Sequence, residues 1–104
     1  DYADIDITRI GLMRTRANVE GVIVSIGHRS GVRLDEKPWS MRNMHIWDGN
    51  HIAEVVAFGS SITSPMRAIK LGDRVKVVSA ELGWRSGLPQ LRIDQRSTRI
   101  TKLN

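Results

Sequence analysis

Four large aromatic residues, Trp39, Trp47, Phe58 and Trp84, are interspersed with arginines along a chain of 104 residues. A flat ring can stack on another flat ring without reading its identity, and a guanidinium grips phosphate with a rigid fork. Residues of these two kinds could together hold a polyanion whose bases are exposed. Asn43, His45 and Trp47 alternate, so a strand through them projects all three to one side, where Asn43 and His45 can bond or stack with bases. Arg29, Arg33, Lys37 and Arg42 lie in or beside one turn-rich stretch, and Arg85 and Arg92 fall near a second. Each cation alone reads as ordinary solvation, so only the set suggests a lined groove. The aromatics have alternatives too. Phe58 reads as a core or a stacking residue, Trp84 as a binding residue or a cover for a barrel end, Trp47 as outward or packed beneath a hairpin, and Trp39 as packing or contact.

Other chemistries find little support. Cysteine is absent, which excludes disulfides and thiolate metal sites. His28, His45 and His51 lack metal-ligand spacing, and no phosphate loop, nucleophile elbow or convincing carboxylate pair is present. Asp48 reads as a turn residue bonding its own backbone. No enzyme, metal or cofactor is expected. Lys and Arg total 16 against 11 Asp and Glu, a net charge of +5, and twelve of the basic residues are Arg. That bias suits nucleic acid. No apolar run is long enough for a membrane span or signal peptide. The absence of an initiator Met suggests an excised domain, and the lack of Cys fits a reducing compartment.

The length suggests one folded domain over 17–104, preceded by an irregular lead-in over 1–16 whose Ile5, Ile7 and Ile10 could pack on its end. The β-branched run Val19 to Ile26 predicts a first strand, with Gly21 marking a bulge or bend. Gly27 to Pro38 reads as a long loop. Met41 to Trp47 and Ile52 to Phe58 predict a hairpin about Asp48-Gly49. Ser64 as N-cap and Pro65 at the first position predict a short helix, with Ile62, Met66 and Ile69 at helical spacing. A fourth strand is expected over Arg74 to Leu82, a loop over Gly83 to Pro89 and a fifth strand over Gln90 to Asp94. Thr98 to Leu103 either extends it or ends as a tail.

Five strands with a helix between the third and fourth resemble the OB fold: an all-β Greek-key barrel with small α content. The segment Asn18-Val19-Glu20-Gly21-Val22-Ile23-Val24-Ser25-Ile26, the Asp48-Gly49 turn, Phe58-Gly59 and Gly72-Asp73-Arg74-Val75 are similar, in order, to the OB domains of replication protein A and archaeal single-stranded DNA-binding proteins. The resemblance spans roughly 17–101. It implies stacking by Phe58 on the third strand and a clamp carrying Trp84 between strands four and five. Glu54 departs from it, standing where a basic residue is usual and where an acid is expected to repel phosphate. The turn after Asp48 also lacks the usual Thr-Gly ending.

The expected function is binding of single-stranded DNA with little sequence preference, as a module of a replication-protein-A-like protein in replication, recombination or repair. The binding set is Phe58, Trp84, Trp47, Trp39, Arg29, Arg33, Arg42, His45, Asn43, Arg85 and Arg92. Further OB domains or subunits are expected as partners, in archaeal cytoplasm or a eukaryotic nucleus. Two alternatives remain at this point: a protein-interaction OB domain, suggested by Glu54, Ile52 and Val56 on the outer face, and an RNA-binding one.

Overall fold

The computed structural model describes Asp4, Ile7 and residues 16–103. Six strands, a 3-10 turn and one short helix follow in order. They are β1 (Arg16–Val32), β2 (Pro38–Trp47), β3 (Ile52–Phe58), the turn Gly59–Ser61, α1 (Ser64–Arg67), β4 (Arg74–Arg85), β5 (Leu88–Arg92) and β6 (Arg99–Lys102).

Strand pairing closes a barrel. The order β1-β2-β3-β5-β4 returns to β1 through a further β1–β4 pairing. β1 serves both sides of the closure: residues from Arg16 to Val22 pair with β4, and residues from Val22 to Val32 pair with β2. Gly21 lies at this crossover, where an added Cβ would fall 2.4 Å from the carbonyl oxygen of Trp47. The expected bend at Gly21 is thus a close approach of two strands. The register shifts lie on either side, between Ala17 and Val19 and between Ile23 and Ser25. β6 joins the edge of β4 that β5 leaves open, pairing along Val75 to Val78. Thr98 to Leu103 therefore contributes a short sixth strand on a different stretch of β4 and does not extend β5.

Alternation fills the interior. Met44 and Ile46 of β2, Ala53, Val55 and Ala57 of β3, and Val75, Val77 and Ala80 of β4 point inward and are fully buried. Met66, with Ile62 and Ile69, plugs the bottom. The plug starts one residue earlier than the sequence suggests: Thr63 is the N-cap, without a side-chain bond, and Pro65 lies in the first turn. The turn after it is stitched to β1, as Gly72 N–H donates to Ile23 O at 2.8 Å and Ile23 N–H to Asp73 O at 2.9 Å. The lead-in over 1–16 falls mostly outside the described residues, including Ile5 and Ile10. Of its described members, Ile7 is buried in the core cluster, Asp4 bridges to Asn18, and Arg16 already belongs to β1.

Two expected loops are strands. Gly27 to Pro38 is mostly a two-stranded ribbon, with register pairs running from Gly27↔Asn43 to Val32↔Pro38 and only 33–37 left as its tip. Gly83 to Pro89 is likewise a tight hairpin in which Trp84 pairs with Pro89 and Arg85 with Leu88. Its two-residue turn has positive φ at Ser86 (51°) and Gly87 (79°), which matches the right-handed twist of the flanking strands. No described helix is long and apolar enough to cross a membrane.

Candidate nucleic-acid interface

Register partners on adjacent strands project to the same face, so the pairings build rows across the outside of the barrel. One row is Val22, Trp47 and Ile52. The next is Ser25, His45, Glu54 and Gln90, followed by Gly27, Asn43, Val56 and Arg92. A fourth is Arg29, Met41 and Phe58. Beyond it, Gly31 pairs with Trp39 on the ribbon. The expected outer face of β2 and β3 is therefore one continuous surface, with Arg92 at its β5 margin. Its apolar floor is Met41 and Val56, both buried yet outside the interior cluster.

Aromatic rings stand at both ends of this surface. Phe58 is 53 % exposed at one end; Trp47, 43 % exposed, and Trp84, 56 % exposed, stand toward the other. Phe58 is thus no core residue, and Trp47 is not folded beneath its hairpin. Trp84 shares a cleft of about 370 Å³ with Ile52 and Leu88, so the β4–β5 hairpin overhangs the end of β3. Trp39 is half-buried and lines a shallow groove of about 510 Å³ beside Gly59.

Small residues on β1 let the β2 side chains lie back across it. A Cβ added at Gly27 would meet Asn43 Oδ1 at 2.5 Å, and one added at Gly31 would meet Trp39 Nε1 at 2.8 Å. Ser25 plays the same part for His45, whose Nδ1 is hydrogen-bonded to the Ser25 hydroxyl.

Glu54 sits at the centre of the surface and is only 9 % exposed. Gln90 Nε2 donates to its Oε1 at 2.8 Å, and Asn43 Nδ2 donates to its Oε2 at 3.3 Å. The Arg85 guanidinium lies 4.0 Å from Oε1, and Arg92 Nε donates to Gln90 Oε1 at 2.9 Å. The acid expected to repel phosphate is therefore embedded among donors and cations. Burying a charge is tolerable only with such partners. Sequence reasoning missed Gln90 because it reaches Glu54 through a parallel β3–β5 pairing, which no local signal reveals. Val56, on the outer face as expected, is only 1 % exposed and offers no apolar surface there.

The structure brings together Phe58, Trp47, Asn43, His45, Arg29, Arg85 and Arg92. Trp84 does not share their face: it pairs with Pro89 and alternates away from Gln90 and Arg85, and it borders the surface at the barrel end, in the cleft with Ile7 and Ile52. Trp39 adjoins this set on the ribbon. Arg33 lies farther off, in the ribbon tip, where its backbone N–H bonds Lys37 O at 2.9 Å. Arg42 does not join the set. It alternates to the opposite side of β2 from Met41 and Asn43, and its guanidinium reaches Ile69 O at 3.5 Å beside the bottom plug. Arg16 is also committed elsewhere, paired to Asp94 at 2.9 Å.

Asp48 fixes the β2–β3 turn. Its Oδ1 accepts the backbone N–H groups of Asn50 and His51, both at 2.9 Å, and its Oδ2 accepts that of Ile7 at 3.1 Å. Burial pushes this carboxyl up, but those three N–H groups outweigh it and hold it below its ordinary range. Among the described residues, no group of three or more His, Asp or Glu is placed to hold a metal ion.

A five-stranded closed barrel with this order of pairing, plugged by a helix between β3 and β4, is an OB-fold domain. Known structures agree. An OB domain from Thermoplasma acidophilum superposes with a TM-score of 0.75 at 20 % identity, covering 98 % of this chain and 88 % of that one. A replication factor A related protein from Methanobacterium thermoautotrophicum gives 0.68 at 16 % identity over 91 % and 88 % of the two chains. DNA-binding domain A of S. cerevisiae replication protein A gives 0.65 at 13 % identity over 100 % and 96 %. The chain matches no known protein-family model and no curated protein sequence.

Proposed function

We propose that this domain binds single-stranded DNA, broadly tolerant of sequence, as one module of a replication-protein-A-like protein that covers exposed strands during replication, recombination or repair. The supporting observation is the outer surface itself. Half-exposed Phe58 and Trp47 stand at the two ends of β3, Trp84 overhangs it, and Arg29 and Arg92 flank it. Bases would stack on the rings while guanidinium groups hold the backbone. Similarity to a DNA-binding domain of replication protein A is consistent with this use of the fold, although fold alone does not dictate it.

A second reading has one observation in its favour. Ile52 and Leu88, 41 % and 39 % exposed, line one cleft with Trp84, and Trp47 adjoins it as the register partner of Ile52, an apolar patch that an apolar peptide segment could cover. Titration with oligo-dT, followed by tryptophan fluorescence at low and moderate salt, separates the two. Single-strand quenching that fades with salt, with none from duplex, supports DNA binding. No response to any strand refutes it and leaves the peptide reading.

A further inference from the structure

The odd-numbered residues of β2 form one line along the outer surface: Trp47, His45, Asn43, Met41 and then Trp39. Trp39 therefore faces the same way as Phe58, one step of two residues, about 7 Å, beyond the row of Arg29, Met41 and Phe58. At this step β3 has already ended, and the ring borders an open groove of about 510 Å³ shared with Ser30, Val32, Pro38 and Gly59. The indole is held face-down. A Cβ added at Gly31 would lie 2.8 Å from Nε1 and 3.0 Å from both Cε2 and Cζ2. A point equally close to three consecutive ring atoms lies over the face of the ring; in the ring plane beyond Cε2 it would stand clearly farther from the other two. One face of Trp39 thus rests on the β1 backbone, and the opposite face is turned outward. Gly31 is not among the residues of positive φ, so the ring, and not the backbone conformation, is what leaves no room for a side chain there.

Resting on the single-stranded DNA reading above, we infer that Trp39 is a further stacking station, the last one the strand meets as it leaves the barrel and lies on the ribbon. It takes one base of any identity, because every base has a flat face. Continuity with the rows names the occupant: a strand stacked on Phe58 and following this face arrives next at Trp39. Charge agrees. Arg29 is exposed on the same face of β1, between Gly27 and Gly31, and is placed for the phosphate that joins the base on Phe58 to the base on Trp39. The ribbon tip sets the limit. It carries Arg33 and Lys37 against Asp35 and Glu36, which cancel, so no net charge draws a polyanion past Trp39. The pose on Gly31 also fixes the ring before binding, which reduces the rotamer freedom lost when a base lands on it.

The test is titration of a labelled oligo-dT of about 16 nucleotides, the upper end of the site sizes of one OB domain, so that all stations can be filled together. Trp39→Ala should weaken binding about tenfold, the loss expected for one stacked base. Trp39 lies outside the interior cluster, so the barrel should stay folded, which thermal unfolding verifies. Trp39→Phe keeps a flat ring and should recover most of the affinity. Gly31→Val keeps the indole in the chain but forces it off the β1 backbone, and should cost about as much as Trp39→Ala. Arg33→Ala, in the tip, should leave affinity unchanged. Unchanged affinity in folded Trp39→Ala or Gly31→Val, a Trp39→Phe as weak as Trp39→Ala, or an equal loss in Arg33→Ala overturns the inference while leaving strand binding intact. Absence of wild-type binding overturns the binding reading and this inference together.

Discussion

Replacing Phe58 by alanine should weaken single-strand binding by about tenfold while leaving the barrel folded. The ring is 53 % exposed and projects from the end of β3 on the face opposite the interior cluster. A phenylalanine buries about 200 Å² when fully covered, so about half of that remains available to a ligand. At about 25 cal/mol per Å², full coverage of that remainder is worth about 2.5 kcal/mol, and coverage of one ring face about half as much. Alanine substitution at base-stacking aromatics costs about 1–3 kcal/mol, and the two estimates overlap. The assay is anisotropy titration of a labelled oligo-dT at fixed low salt, with thermal unfolding to verify the fold. Leu71→Ala supplies the control: Leu71 is 64 % exposed but lies in the turn after α1, away from the rows. Unchanged affinity in folded Phe58→Ala, or an equal loss in Leu71→Ala, would refute the reasoning.

Gly27→Val should reduce both stability and affinity, because its Cβ would start 2.5 Å from Asn43 Oδ1 and drive Asn43 off Glu54; a structure of the variant with Asn43 unmoved would contradict this. With Arg29 and Arg92 on phosphate, log Kobs should fall with log salt at a slope of about −1.4, and Arg92→Ala should flatten it by about 0.7. Asp48 makes stability pH-dependent with a definite sign. Its carboxyl titrates lower when folded than unfolded, so its contribution is fully present above the ordinary carboxylate range and is lost as pH falls from that range through the lowered value of the folded state. Asp48→Asn keeps one of the two acceptor oxygens, enough for Asn50 and His51, loses the acceptor for Ile7 and carries no charge, so the variant should be less stable at neutral pH and its denaturant midpoints should vary less between neutral and acid pH than those of the wild type.

The barrel was legible wherever one short-range signal determined the outcome. Asp48-Gly49 marked the β2–β3 hairpin, and inward alternation from Met44 to Ala57 set both faces, so the outward placement of Asn43, His45 and Trp47 followed. Pro65 marked the plug helix to within a residue. The ribbon was misread because Gly27 and Gly31 look like loop residues. They are glycine because Asn43 and Trp39 lie flat over them, a contact created by pairing across the sheet. Ser86-Gly87 likewise reads as part of a longer loop in sequence, although Trp84, Arg85, Leu88 and Pro89 all pair. Arg42 was assigned to the groove by its neighbourhood in sequence, whereas the period of two turns it away from Asn43. Glu54 looked like a defect. Its compensation depends on Gln90, 36 residues distant, through a parallel pairing that local pattern cannot register.

The most direct test of the central claim is a map of backbone amide shifts on titration with oligo-dT. The account predicts that the perturbed amides follow the rows, from Phe58 and Arg29 through His45, Glu54 and Gln90 to Trp47 and Trp84. Residues around the Arg16–Asp94 pair should remain still. Perturbation centred on Arg16, Asp94 and β6, with the β2–β3 face silent, would contradict it.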